Sequence, residues 1–237
     1  MALLEDALRA SGGLDLRRQM SRYTVHMSVG GVLCRHKCAS ARLKDLVVEG
    51  STDQVSLEIH GFGAVNRRAM VRPDWVALEG PDGELLKETK AAPQELRERL
   101  RASTWDELQL AYYFGYSIWN YVAVPFVLAE PDVTTEELEP GSVQFDGWRR
   151  LEVRFPPRVV THSTEQTFYF DRDGLLRRID YASELEDTRM AQLFSGHQRF
   201  AGILIPTLAT SLRIAPDGVS LAKPSFIDIE IFDVVFE

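Results

Sequence analysis

The sequence predicts an α+β fold: one long, curved antiparallel sheet, half-barrel or barrel-like, wrapped round a central buried helix. Three observations predict it. Residues 104–128 carry apolar side chains at helical spacing. Much of the remaining chain is built of short runs in which apolar and polar residues alternate, the period of a half-buried strand. Few helical patterns separate these runs, so hairpins connect them most economically and the pairing is antiparallel. All 237 residues are expected in one domain.

Residues 1–10 read as a short amphipathic helix, with Leu4 and Leu8 one turn apart and Gly12-Gly13 ending it. Tyr23, Val25, Met27 and Val29 then alternate with Thr24, His26 and Ser28 as a strand that bends at Gly30-Gly31. Residues 46–49, 55–59, 65–72 and 75–79 behave alike. Pro81-Asp82-Gly83 supplies a turn after which residues 84–88 return antiparallel. A helix over residues 93–101, with Pro93 in its first turn, leads into the central one.

The central helix is expected to start at Thr104, because Thr104 and Glu107 have the spacing of a capping box. Trp105, Leu108, Tyr112, Gly115, Tyr116, Trp119, Val122 and Phe126 form one face. Leu110, Phe114, Ile118 and Tyr121 make the opposite face apolar too, so the helix should be buried nearly all round. Residues 108–129 carry no charge, which raises the question of a membrane span. Gln109, Ser117 and Asn120 interrupt the run, tyrosines are scattered through it, and Pro125 should kink or stop it, so a core helix is the better reading.

Residues 130–147 form a polar connection, read as a surface loop inside the domain. Strands resume at Trp148, with Leu151, Val153 and Phe155 on one face, and again at Gln166, Phe168 and Phe170. Asp171-Arg172-Asp173-Gly174 is the clearest hairpin tip, and residues 175–184 return from it. Later strands cover residues 191–200, 203–214 and 226–236, with Pro216-Asp217-Gly218 as a turn.

A net charge of -8 argues against nucleic acid or an anionic membrane surface as partner. The acidic N-terminus lacks the pattern of a secretory signal, which predicts the cytoplasm, and Cys34 and Cys38 are expected as free thiols there. Cys34-Arg35-His36-Lys37-Cys38 has no second ligand pair for zinc and reads as a basic strand end. Asp171–Gly174 lacks the further acidic ligands of a calcium loop. No metal or other cofactor is expected. His26, His60, His162, His197, Glu165 and Asp180 are the titratable candidates for acid–base work, but none has a partner identifiable from sequence. Nucleophile elbows and phosphate-cradling glycine loops are absent, so no catalytic residue is assigned.

Large semi-polar side chains stand out instead. Tyr23, Met27, Met70 and Trp75 on the sheet, with Tyr112, Tyr116 and Trp119 on the helix, are the expected lining of a pocket for an apolar small molecule. Tyr181 belongs to the same group of side chains. Homodimerisation is compatible with this reading.

Leu110-Ala-Tyr-Tyr-Phe-Gly-Tyr-Ser-Ile-Trp-Asn-Tyr121, Trp148–Pro157, His162-Ser163, Gln166–Asp171 and Gly174–Tyr181 together resemble a family of mostly uncharacterised bacterial cytoplasmic proteins over roughly residues 55–207. That family's fold is similar to the LolA/LolB lipoprotein-carrier half-barrels, whose curved sheet encloses acyl chains. The stretch Thr207-Leu-Ala-Thr-Ser-Leu-Arg213 departs from the family's more basic, aromatic sequence. The chain also resembles cyclases of macrolide biosynthesis that catalyse cycloaddition without a cofactor. This second resemblance implies an enzyme that folds a flexible polyketide-like polyene into its reactive conformer, for which orientation suffices and no nucleophile or metal is needed. The alternative it leaves open is a non-catalytic carrier or binding protein for a lipid-like ligand.

Overall fold

In the computed structural model, which describes residues 2–37, 43–91, 93–102, 104–139, 147–183, 188–215, 220 and 224–237, the strands form one antiparallel sheet. Its first wing comprises β1 (Arg22–Gly30), β2 (Leu46–Ser51), β3 (Leu57–His60), β4 (Arg68–Arg72), β5 (Trp75–Glu79) and β6 (Leu85–Lys90). The second comprises β7 (Thr134–Leu138), β8 (Arg149–Arg154), β9 (Glu165–Phe170), β10 (Leu176–Ser183), β11 (Thr188–Phe200), β12 (Ile203–Arg213) and β13 (Ile227–Phe236). Each wing runs in sequence order, and pairing of β1 with β13 joins them.

Alternation decides the faces. Tyr23, Val25, Met27 and Val29 of β1, Leu57 and Ile59 of β3, Phe168 and Phe170 of β9, and Ile227, Ile229 and Ile231 of β13 are all buried. Their neighbours along each strand are mostly more exposed, which leaves one face of the sheet polar. Helix α1 (Leu3–Ala10) buries Leu3, Ala7 and Leu8, and Gly12 and Gly13 follow with φ of 116° and 88°. Two short helices, α2 (Leu14–Arg17) and α3 (Val32–Lys37), were not expected. The Cys34 motif therefore lies mostly in a helix rather than at a strand end, and Cys38 lies outside the described residues.

Helix α4 (Pro93–Arg99) precedes the central helix α5 (Glu107–Ala123), which lies against the buried face. The cap is two residues later than expected. Asp106 Oδ1 accepts from the Gln109 backbone N–H at 2.8 Å, and Gln109 Oε1 accepts from the Asp106 N–H at 2.9 Å. An Asp–Gln pair satisfies the same free donors as Thr–Glu. Glu107 instead binds Arg67 at 2.6 Å and Lys87 at 3.1 Å, and Thr104 is exposed outside the helix. The other end is set by Pro125: α5 stops at Ala123 and a 3-10 turn, Phe126–Ala129, follows. Among the described residues, no helix is long and apolar enough to cross a membrane.

Helix α5 touches both wings. The Trp119 indole N–H donates to Ser51 O at 3.1 Å, while the Tyr121 hydroxyl donates to Pro206 O at 2.6 Å. Two further differences concern strands. The connection after α5 contains β7, the outer strand of its wing, rather than only a loop. Strand β4 starts at Arg68 instead of residue 65, and Val65 is exposed in the preceding turn. The Pro216–Gly218 turn lies outside the described residues.

Candidate functional site

Residues 156–164, between β8 and β9, form the most built polar segment beside α5. Gln166 holds the segment by donating to Ser163 O at 3.0 Å and to the Thr161 hydroxyl. Asn120 of α5 donates to Val160 O at 2.7 Å, and Arg97 of α4 donates to Thr161 O at 2.6 Å. Three side chains from three elements thus satisfy backbone carbonyls that no strand pairs. The result fixes His162 over the helix.

The His162 ring is packed by tyrosines. It stacks on Tyr181 at 5.1 Å between centroids, meets Tyr116 edge-on at 5.2 Å and lies tilted to Tyr113 at 5.4 Å. The Tyr116 hydroxyl is 3.3 Å from His162 Nδ1, a bond in which Tyr116 donates when the ring proton is on Nε2. Burial, reinforced by the positive Arg97, pushes the imidazole down to about 4. A histidine so low is neutral at pH 7 and a poor general base there.

Above this cage opens a cleft of about 350 Å³, bordered by Leu100, Tyr116, Pro157, Val160 and His162 among others. Its volume is at the low end of the range for small-molecule pockets. Arg97, Glu98 and Arg101 form its polar side.

The expected lining residues separate. Tyr23, Met27 and Tyr112 are buried on the helix side of the sheet or on α5 itself. Burial raises the Tyr112 hydroxyl to about 12. Tyr116 reaches the His162 cleft, whereas Trp119 borders a different, smaller one beside Arg17. Met70 and Trp75 are corrections. Val71 faces α5, so its neighbour Met70 must point to the opposite face, and Trp75 shares that outer face. There Trp75 stacks with Arg72 at 5.0 Å and donates to Glu88 at 2.9 Å.

Sequence reasoning named His162 as a titratable group and as part of the family resemblance but placed it in no site, and it gave Tyr113 no role. The segment around it, Pro156-Pro-Arg-Val-Val-Thr-His-Ser163, has neither helical nor strand period, so nothing local indicated its inward position. Arg17 was missed for a similar reason, sitting in the charged run Asp15-Leu-Arg17-Arg18.

No family model matches the chain, and no curated protein matches it either. Solved structures do. A LolA superfamily protein from Nitrosomonas europaea superposes with a TM-score of 0.59 at 10% identity, over 100% of this chain and 94% of its own. A DUF1329 family protein from Desulfovibrio piger gives 0.53 at 14% identity, covering 99% and 92%. A domain described as an outer membrane lipoprotein-sorting protein, from Vibrio parahaemolyticus, gives 0.51 at 10%, covering 96% and 93%. At these identities the likeness is one of fold, and the chain has a LolA-like fold: a large, open antiparallel sheet with few helices.

Proposed function

We propose that the protein is a non-catalytic carrier or binding protein for a lipid-like apolar ligand, cytoplasmic as the sequence predicts, with the His162 cleft as its entrance. The observation that carries this reading is the cleft itself. It is about 350 Å³, is walled on its apolar side by Leu100, Pro157, Val160 and Tyr116 of α5, and has among its polar groups a histidine tuned away from proton transfer. The fold supports it, since one of the similar structures is described as a lipoprotein-sorting protein.

The sheet in this proposal curls round α5 as a half-barrel. Ser51 ends β2 and Pro206 belongs to β12, three strand steps apart through β1 and β13. Trp119 and Tyr121 of one helix bond to these two strands on either side of the β1–β13 junction, which supports a sheet curled round the helix. Curvature brings the two wings to one helix and creates the edges at which clefts open.

The test is to incubate the protein with an extract of its source organism, reisolate it, and analyse retained and released molecules by chromatography and mass spectrometry. A retained lipid of unaltered structure is expected, and Val160→Trp, which fills the cleft, should abolish retention in a folded protein. Appearance of an isomer of unchanged mass, formed only with active protein, would replace the carrier with a cycloaddition cyclase acting on a polyene. Equal retention by Val160→Trp would remove the ligand from this cleft.

A further inference from the structure

The packing round His162 uses one of its two ring nitrogens. Nδ1 lies 3.3 Å from the Tyr116 hydroxyl. A neutral phenol is the better donor and an unprotonated imidazole nitrogen the better acceptor, so Tyr116 donates and the ring proton sits on Nε2. Burial and Arg97 keep the imidazole neutral at pH 7. Tyr181 stacks on one face of the ring, while Tyr113 and Tyr116 approach from the helix. These contacts fix the ring plane and, with it, the direction of the Nε2–H bond.

That donor is left over. Nε2 has no hydrogen-bond partner among the described residues, and it is not sealed from solvent, since His162 is only partly buried. The open space that His162 borders is the cleft of about 350 Å³. The neighbouring carbonyls are already engaged: Val160 O accepts from Asn120, Thr161 O from Arg97 and Ser163 O from Gln166. Solvent serves Nε2–H while the cleft is open. A wholly apolar molecule seated on Leu100, Pro157 and Val160 would displace that solvent and strand the donor, which lowers affinity. A ligand with an acceptor at this point keeps the bond. A carbonyl oxygen supplies one without bringing a donor of its own. Arg97 and Arg101 outnumber Glu98 on the polar side of the cleft, so the carbonyl can be neutral or part of a carboxylate.

We propose that, granted an apolar ligand in this cleft, His162 selects it by a carbonyl oxygen that accepts from the Nε2–H, the carbonyl belonging to a neutral ester or amide or to a carboxylate.

Calorimetric titration of the full chain at pH 7 with 1-monodecanoylglycerol and 1-O-decylglycerol, each below its micellar concentration, tests this. The two probes differ only in the carbonyl oxygen. The native protein should bind the ester about tenfold or more tightly than the ether. His162→Phe keeps a ring among the tyrosines and removes the donor, so it should bind both probes with the affinity of the ether. Should that variant fail to fold, imidazole nitrogen NMR of the native protein decides: a proton on His162 Nε2, shifted by the ester and not by the ether, is expected. A proton on Nδ1, equal native affinity for ester and ether, or an ester preference that survives in His162→Phe overturns the proposal and leaves the carrier standing. Binding of neither probe, or ester binding undiminished by Val160→Trp, overturns the apolar-ligand reading of this cleft and the carbonyl selection with it. Decanoate separates the two sources. Tighter binding than the ester identifies a carboxylate and weaker binding a neutral carbonyl, and both support selection by His162.

Discussion

Burial and the neighbouring Arg97 hold His162 near 4, against 6.5 when exposed. The folded state therefore binds its proton less readily than the unfolded chain. Stability from this group is complete above about pH 6.5 and is lost as pH falls towards 4, because the unfolded chain takes up the proton first. At 1.36 kcal/mol per unit, the loss reaches at most about 2 kcal/mol by pH 5. His162→Phe keeps an aromatic ring among the three tyrosines and removes the titration. Urea unfolding at pH 7 and pH 5 should show a smaller loss of stability in the variant than in the native protein. Equal losses would mean that His162 is protonated in the folded state.

At the scale of elements, the contact between α5 and β4 depends on a missing side chain. A Cβ on Gly115 would lie 2.7 Å from both methyl carbons of Val71. Val71 is fully buried and stiff at χ1, so it cannot swing away. Alanine favours helices over glycine by about 1 kcal/mol, but overpacking a core costs about 1–3 kcal/mol. The clash should win, and Gly115→Ala should lower the urea midpoint. Adding Val71→Ala should restore part of the loss, a coupling that a double-mutant cycle measures. The same reasoning shows why helix α5 was legible as an element but its start was not. Its apolar positions recur regardless of context, whereas Thr104–Glu107 and Asp106–Gln109 are both competent capping boxes, and packing with Arg67 and Lys87 selects the second.

The whole molecule hangs on the pairing of β1 with β13, which joins strands from opposite ends of the chain into one sheet. Helix α5 then bonds to both wings. Neither wing buries its apolar face without the helix, so the chain is expected to unfold in one cooperative transition. Far-ultraviolet circular dichroism reports the sheet, and fluorescence reports Trp75, Trp105, Trp119 and Trp148. Coincident urea curves are the expected outcome; two separated transitions would mean that the wings are independent domains.

The sequence by itself determined most of the strands, their antiparallel connection, the buried central helix and its end near Pro125, because periodicity and turn chemistry act over a few residues; the edge strand β7 escaped it. It also marked Tyr23, Met27, Tyr112, Tyr116 and Trp119 as candidates for a ligand-facing interior. Only the tertiary structure decided which of the aromatic and sulfur-bearing residues face the helix. Strand parity turned Met70 and Trp75 outward, since one residue of register reverses a side chain. Tertiary structure likewise placed His162 within a tyrosine cage and buried Arg17 against the Thr52 carbonyl, since both positions come from contacts between segments far apart in the chain. Local pattern records which face of an element is apolar, and the meeting of distant elements determines where a polar group is trapped.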